Sequence, residues 1–175
     1  PDDYTTVYTY NAAGQVLTAT TDLPTTISYT YDAVGNRVSQ TDADGNTTQY
    51  RHDVLDRLIE ITDPLNHAQT MQYDAMGRLV ALSDALGQTR RKVYDFNGNV
   101  LRAIRPDATF ASAAYDPIGQ LVWQADELGR RTQYVYDPRG RMIQRIDGEG
   151  AVLRTQYDGG GRVVAEFDAL GNATH

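Results

Sequence analysis

The sequence predicts an all-β chain made of antiparallel β-hairpins, and three regularities support this fold class. A Tyr-Asp-x-x-Gly motif recurs every 21 residues, and a second turn motif, Asp-x-x-Gly, lies about midway between successive copies. The segments between turns are rich in β-branched and aromatic residues, and none has a helical apolar stripe. Eight copies at a fixed interval are typical of a repeat array, in which each unit packs mainly on its neighbours. We therefore expect residues 1–175 to form a single array.

The Tyr-Asp turns set the register of the array, near residues 10, 31, 52, 73, 94, 115, 136 and 157. A degenerate copy, His52-Asp53-Val54-Leu55-Asp56, fills the gap between two full copies, so His52 replaces a tyrosine. The predicted structural positions are the Tyr, Asp and Gly of the motif: Tyr10, Tyr31, Asp32, Gly35, Tyr73, Asp74, Gly77, Tyr94, Asp95, Gly98, Tyr115, Asp116, Gly119, Tyr136, Asp137, Gly140, Tyr157, Asp158 and Gly161.

Both turn motifs have the same physical explanation. The Asp carboxylate accepts from the backbone N–H two residues on, the middle pair forms a type I turn, and Gly supplies a left-handed conformation. Asn66 and Asp56 can also adopt that conformation in place of Gly. At Arg105-Pro106-Asp107-Ala108 the motif is lost, and we expect the mid-unit turn there to be shifted by two residues.

The strands that lead into the Tyr-Asp turns predict a ladder of tyrosines on one face. Residues two apart share a face, which pairs Tyr29 with Tyr31 and Tyr134 with Tyr136. Successive rungs would lie about 9.6 Å apart, too far for ring stacking but close enough to hold aliphatic side chains between them. Most strands after a Tyr-Asp turn begin with adjacent apolar residues, as in Leu79-Val80, which suggests that both faces are partly apolar. Arg37 is an exception, because it takes the first apolar position of its strand. A long twisting meander of this kind should curl into a strip or spiral.

Composition excludes several classes of function. The formal net charge is -7 and the 16 Lys and Arg are scattered, so no basic stripe for nucleic acid is expected. No apolar run approaches the ~20 residues of a membrane helix, and no targeting signal is recognised in this segment. With no Cys, the fold depends on packing and hydrogen bonds. Open strand edges predict self-association of the fragment, and a strictly monomeric, extended particle would contradict this expectation.

The repeat unit resembles that of a known family, the Rhs/YD repeat family, and the likeness covers essentially the whole chain. It is seen in the order Gly129, Thr132, Tyr134, Tyr136, Asp137, Gly140, Arg141, Met142. The resemblance implies a strip of hairpins that spirals into a hollow cocoon. In bacterial Rhs effectors, including type VI effectors, and in Tc-type insecticidal toxins, such a shell encloses a C-terminal toxic polypeptide until delivery. In animal teneurins a similar shell serves cell adhesion.

The function implied is that of a non-enzymatic shell segment of a secreted or delivered bacterial toxin. Its expected partners are the enclosed toxin domain and neighbouring repeats of a longer chain, with no cofactor. The family's aspartyl self-cleavage site has no counterpart here, since Asp116-Pro117 and Asp137-Pro138 belong to ordinary repeat turns. The alternative is a carbohydrate- or protein-binding adhesion module that uses exposed aromatic residues such as Trp123.

Three local patterns suggest other chemistry but are better explained as turns. The segment Asp42-Ala43-Asp44-Gly45-Asn46 resembles the start of a calcium loop, but the later acidic ligands are absent. Carboxylate pairs such as Asp53 with Asp56, or Asp147 with Glu149, could serve glycoside hydrolysis, but each lies in a repeat turn. The spacing of His52 and His67 matches no metal-ligand motif. We therefore expect no catalytic and no metal site.

Overall fold

The computed structural model describes residues 5–22 and 25–174, and within these residues it contains β-strands and turns but no helix. The all-β prediction is confirmed. The strands are β1 (Thr6–Tyr10), β2 (Val16–Thr21), β3 (Thr26–Tyr31), β4 (Arg37–Thr41), β5 (Thr47–His52), β6 (Leu58–Thr62), β7 (Ala68–Tyr73), β8 (Leu79–Ser83), β9 (Thr89–Tyr94), β10 (Val100–Ile104), β11 (Phe110–Tyr115), β12 (Leu121–Ala125), β13 (Arg131–Tyr136), β14 (Met142–Ile146), β15 (Val152–Tyr157), β16 (Val163–Phe167) and β17 (Ala173–Thr174).

The chain divides into two compact units, residues 1–89 and residues 90–175. In the first unit β1 to β8 pair consecutively, and every pair is antiparallel. In the second unit β9 to β17 do the same. Each unit is therefore a succession of hairpins in which a strand contacts only the strands before and after it in sequence.

The turns have the geometry that the motif predicts. In the turn at Asp137, the N–H of Gly140 donates to the Asp137 carbonyl at 2.9 Å, and the Asp137 N–H donates to the Arg141 carbonyl at 2.9 Å. Gly140 has φ +80°, which glycine adopts without steric strain. Asp56 and Asn66 replace Gly with φ of 61° and 65°. A type I turn followed by a left-handed residue is a common three-residue hairpin loop.

The predicted shift at Arg105 is wrong, because this turn lies in register. The Ala108 N–H donates to the Arg105 carbonyl at 3.0 Å, and the Arg105 N–H donates to the Thr109 carbonyl at 2.9 Å. These are the two backbone bonds found in the other turns. They require no particular side chain, and Ala108 takes the left-handed position with φ 67°.

A register shift lies beside each Tyr-Asp turn. In the β7–β8 pair, Tyr73 lies opposite Leu79 whereas Gln72 lies opposite Ala81, so Val80 is the additional residue of a bulge. Corresponding shifts occur before Tyr31 and before Tyr136. The adjacent apolar pairs noted in the sequence therefore mark bulges, and they do not by themselves make both faces of the sheet apolar.

No large side chain is fully buried in the described part of the chain. The buried apolar residues are Ala81 and Ala165, each 5% exposed. Apolar residues at the turn tips are exposed instead: Val34, Leu55, Leu65, Met76, Leu86, Phe96, Ile118, Leu128 and Leu170. A sheet without an enclosed core depends on contacts between neighbouring strands and turns.

Candidate functional site

The strongest concentration of side-chain interactions lies along the Tyr-Asp turns, which we call the Tyr-Asp row. Within each turn the carboxylate organises the loop. Asp137 Oδ1 accepts from the N–H of Arg139 at 2.9 Å and from that of Arg141 at 3.0 Å. Its Oδ2 accepts from Arg141 Nε at 2.7 Å. One carboxylate thus binds three donors of its own turn.

The ladder tyrosines connect neighbouring repeats through their hydroxyl groups. Tyr136 donates its O–H to the carbonyl of Leu121 at 2.9 Å. Leu121 is the first residue of β12, the strand that follows the preceding Tyr-Asp turn. The same bond, across 15 residues, joins Tyr31 to Val16, Tyr73 to Leu58 and Tyr157 to Met142, at 2.8–2.9 Å. The hydroxyl is therefore engaged with backbone, which leaves it poorly placed to bind a ligand.

Arginine residues directly after the turn form a second connection, which sequence analysis missed. Arg141 pairs with Asp137, lies over the ring of Tyr157 with 4.7 Å from its guanidinium carbon to the ring centroid, and donates Nη1 to the Asp158 carbonyl at 3.2 Å. Arg57 does the same with Tyr73, at 4.8 Å, and with the Asp74 carbonyl, at 3.2 Å. The guanidinium groups occupy the space between rungs that was expected to hold aliphatic side chains. The signal in the sequence was the arginine at a fixed place after the turn glycine.

Where the turn is followed by glutamine, the connection takes another form. Gln15 Nε2 donates to the Gly35 carbonyl, and Gln120 Nε2 donates to the Gly140 carbonyl, each at 3.0 Å. The absence of a side chain on Gly140 allows this approach, because an added Cβ would lie 2.9 Å from Gln120 Nε2. Different residues after the turn therefore reach the next turn of the row.

His52 is the weak rung of the ladder. Its Nδ1 is buried and has no hydrogen-bond partner in the part of the chain that the structure describes. By the 15-residue rule a tyrosine here would reach the carbonyl of Arg37. The side chain of Arg37 lies over the ring of Tyr50, with 4.4 Å from its guanidinium carbon to the ring centroid. The interpretation of His52 as a degenerate rung fits this geometry.

Asp53 and Asp137 show how these bonds lower the pKa of a turn carboxylate. The hydrogen bond from the Arg57 side chain lowers the pKa of Asp53 below its ordinary value, against the opposing effect of desolvation. For Asp137 the main cause of the lowered pKa is the backbone N–H of Arg141. A carboxylate held ionised in this way is suited to turn capping, whereas a general acid requires a raised pKa.

The residues considered for metal or acid–base chemistry lie in ordinary turns. Asp42 accepts from the N–H of Asp44 and from the N–H and side chain of Asn46, at 2.9–3.0 Å. His67 Nδ1 contacts Asp63 Oδ2 at 2.9 Å within one turn. Over residues 5–22 and 25–174 no group of three or more His, Cys, Asp or Glu could hold a metal ion.

Two further aromatic features present ring surface, and one of them includes the first ladder tyrosine, Tyr10. Trp123 is half-buried, and the Arg131 guanidinium lies 4.4 Å from the ring centroid. Tyr8 and Tyr10 are exposed at the start of the first unit, with ring centroids 6.4 Å apart. These are the aromatic surfaces that an adhesion function would use.

The comparison with known families decides the identity of the array. The Teneurin YD-shell family matches residues 2–166, almost the whole chain. The chain belongs to the Teneurin YD-shell family. This confirms the resemblance to Rhs/YD repeats, and membership of a family of shells supports a structural role for the chain. No curated protein matches significantly.

Solved structures show the same fold in Tc toxin complexes. The chain resembles the crystal structure of TcdB2-TccC3 without the hypervariable C-terminal region, with TM-score 0.54, 16% identity, and coverage of 93% of this chain and 11% of that one. The crystal structure of TcdB2-TccC3 matches with TM-score 0.53, 17% identity, and coverage of 93% and 12%. The chain thus spans a small part of these much longer proteins. Within its described residues, the YD-shell chain has no helix long and apolar enough to span a bilayer.

Proposed function

We propose that this chain is a wall segment of an Rhs/YD-repeat toxin or secreted effector, and that the complete wall encloses a C-terminal toxic polypeptide until delivery. Residues 1–175 act as one array, and the Tyr, Asp and Gly of the repeat serve structure and not catalysis. The partners are the enclosed toxin domain and neighbouring repeats. The complete protein is secreted or delivered by bacteria to a target cell.

The observation that carries this proposal is the direction of the repeat contacts. Tyrosine hydroxyls and arginine side chains of the Tyr-Asp row bind the backbone of the neighbouring repeat. Such contacts lengthen an array without closing a core, which agrees with the scarcity of buried side chains among the described residues. Within each unit the hairpins form a sheet one layer thick, which is suited to separating two compartments.

Protease protection of the complete polypeptide that contains this array tests the proposal. We expect the C-terminal part to resist digestion while the wall is intact. The double variant Arg57→Met, Arg141→Met removes one inter-repeat connection from each unit and should expose that part to digestion. The matched control Arg130→Met should leave it protected, because among the described residues the Arg130 guanidinium pairs only with Asp126 of its own turn and makes no hydrogen bond or ion pair to another repeat. Equal digestion of wild type and double variant would contradict enclosure.

An adhesion module is the second candidate, favoured by the exposed rings of Tyr8 and Tyr10, which are 50% and 57% accessible. Aromatic residues that bind sugars or proteins present free faces to the ligand. A glycan array, followed by titration of Trp123 fluorescence, tests it on the isolated chain. Saturable binding that is lost in Tyr8→Ala, Tyr10→Ala would favour adhesion over a wall alone.

A further inference from the structure

A cavity of about 770 Å³ lies in the second unit, beside strands β10 to β13. Its lining includes the small residues Ala103, Ala111, Ser112 and Ala113. A comparison of this repeat with the other repeats of the chain accounts for the open volume. Ala113 lies two residues before the ladder tyrosine, where other repeats have Tyr29, Tyr50 and Tyr134. The cavity therefore lies where these three repeats carry a large aromatic side chain in place of alanine.

Four carboxylates also line this cavity, and among the described residues only two of them have a basic partner. Asp126 pairs with Arg130 at 2.6 Å, and Glu127 pairs with Arg105 at 2.5 Å. Asp147 uses Oδ1 to accept from the N–H groups of Glu149 and Ala151.

The remaining acceptors, Asp147 Oδ2 and the Glu149 carboxylate, have no partner among the described residues. The reason is local. Four residues after Asp147 stands Ala151, where Asp126 has Arg130 and Asp42 has Asn46. The turn at Asp147 is therefore completed by backbone bonds and leaves negative charge at the edge of the cavity.

The shape of this site suits an organic cation better than a metal ion. The described acidic residues do not converge on a point where a metal could bind. The lining instead offers apolar surface from Val100, Ala103 and Tyr115 next to the two free carboxylates. An arginine side chain matches both parts, because its stem can lie on apolar surface while its weakly hydrated, planar guanidinium binds carboxylates in a bidentate manner.

We propose that this cavity binds the arginine side chain of an extended peptide segment, with the guanidinium at Asp147 and Glu149. Gly148 and Glu149 are exposed, so a peptide can approach this edge from solvent. The inference rests on the cavity alone, and it stands whether or not the array encloses a toxin.

The test is an NMR titration of the 175-residue chain with the peptide acetyl-Gly-Arg-Gly-amide. We expect saturable shifts of the backbone amides of Ala111, Ala113 and Glu149. The citrulline analogue keeps the shape of arginine but is neutral, and it should bind about tenfold more weakly. Added salt should weaken the arginine peptide more than the citrulline peptide, because only the former depends on charge.

Variants localise the site. Asp147→Asn, Glu149→Gln should weaken binding about tenfold while keeping the turn, because Asn11 already caps an equivalent turn through Oδ1. Asp44→Asn is the matched control, since Asp44 holds the turn position of Glu149 in the first unit and should leave binding unchanged. Ala113→Tyr should fill the cavity and abolish binding. No saturable shift in wild type, equal binding of the citrulline peptide, or full binding by the double carboxylate variant would each overturn the proposal.

Discussion

The Tyr-Asp row and the turns midway between its members, which we call the mid-unit row, use the same loop but differ in what their side chains reach. In the Tyr-Asp row, Tyr136 and Arg141 extend to the backbone of neighbouring repeats. In the mid-unit row, Arg130, like the asparagines at the same place, pairs only with the aspartate of its own turn among the described residues. One ion pair in the described mid-unit row does join different turns: Arg105 pairs with Glu127, and the Arg105 side chain is 61% exposed. Within each unit, the contacts between repeats are therefore concentrated at one end of the strands, although the strands carry the same type of turn at both ends.

The largest expected effect comes from removing the arginine that connects repeats. Arg141→Met loses the contact with the Tyr157 ring and the bond to the Asp158 carbonyl, so we expect the unfolding free energy to fall by about 1–2 kcal/mol. Arg130→Met is the control, because it breaks the same ion pair within a turn but no contact between repeats. The Arg130 side chain is 71% exposed against 26% for Arg141, and exposed ion pairs contribute little. Urea denaturation measures both; equal losses would mean that the two rows do not differ.

Removing a ladder hydroxyl should have a smaller effect. Tyr136→Phe leaves the Leu121 carbonyl without its donor, at an expected cost of about 1 kcal/mol. Tyr134→Phe is the matched control two residues away, because its hydroxyl accepts from the exposed Gln124 side chain and not from another repeat's backbone. Both variants keep the ring, so a difference in urea midpoint reports on the hydroxyl alone. A larger loss for Tyr134→Phe would mean that cohesion does not depend on the hydroxyl bond of Tyr136 to the backbone.

The sequence predicted what depends on short-range chemistry. Asp and Gly act within a single loop, so the turns and the hairpin fold could be inferred from their spacing. The turn at Arg105 departs from the predicted position because its two backbone hydrogen bonds form without the Asp-x-x-Gly side chains.

Contacts between repeats were harder to foresee. The reach of Arg141 to Asp158 spans 17 residues and depends on strand register, which a bulge beside each Tyr-Asp turn alters. The cavity at Ala113 was also not predicted. The sequence shows alanine where other repeats have Tyr29, Tyr50 and Tyr134, but the open volume and its lining depend on how neighbouring strands lie in space.

Repairing the weak rung should add stability. His52→Tyr replaces a side chain that has a buried unpartnered Nδ1 with one whose hydroxyl can reach the Arg37 carbonyl, by analogy with Tyr73 and Leu58. The expected gain in unfolding free energy is roughly 0.5–1 kcal/mol. His52→Phe is the control that fills the space without the hydroxyl and should gain less. No gain for either variant would mean that the ladder position tolerates histidine at no cost.

The smallest difference between the rows is expected in their response to acid. Asp42 of the mid-unit row has a lowered pKa, chiefly through the Asn46 side chain, and Asp137 of the Tyr-Asp row has one chiefly through the Arg141 N–H. Both carboxyls are more acidic in the folded chain, so on acidification they are protonated first in the unfolded chain, near the ordinary Asp pKa of about 3.9. Their contribution to the unfolding free energy is therefore fully present above about pH 4, and it is lost as the pH falls through the folded pKa values. Asp42→Asn and Asp137→Asn should each flatten this acid decline in urea titrations by similar amounts, since the carboxylate serves the turn in both rows. A decline flattened only by Asp137→Asn would extend the asymmetry of the two rows to the aspartates.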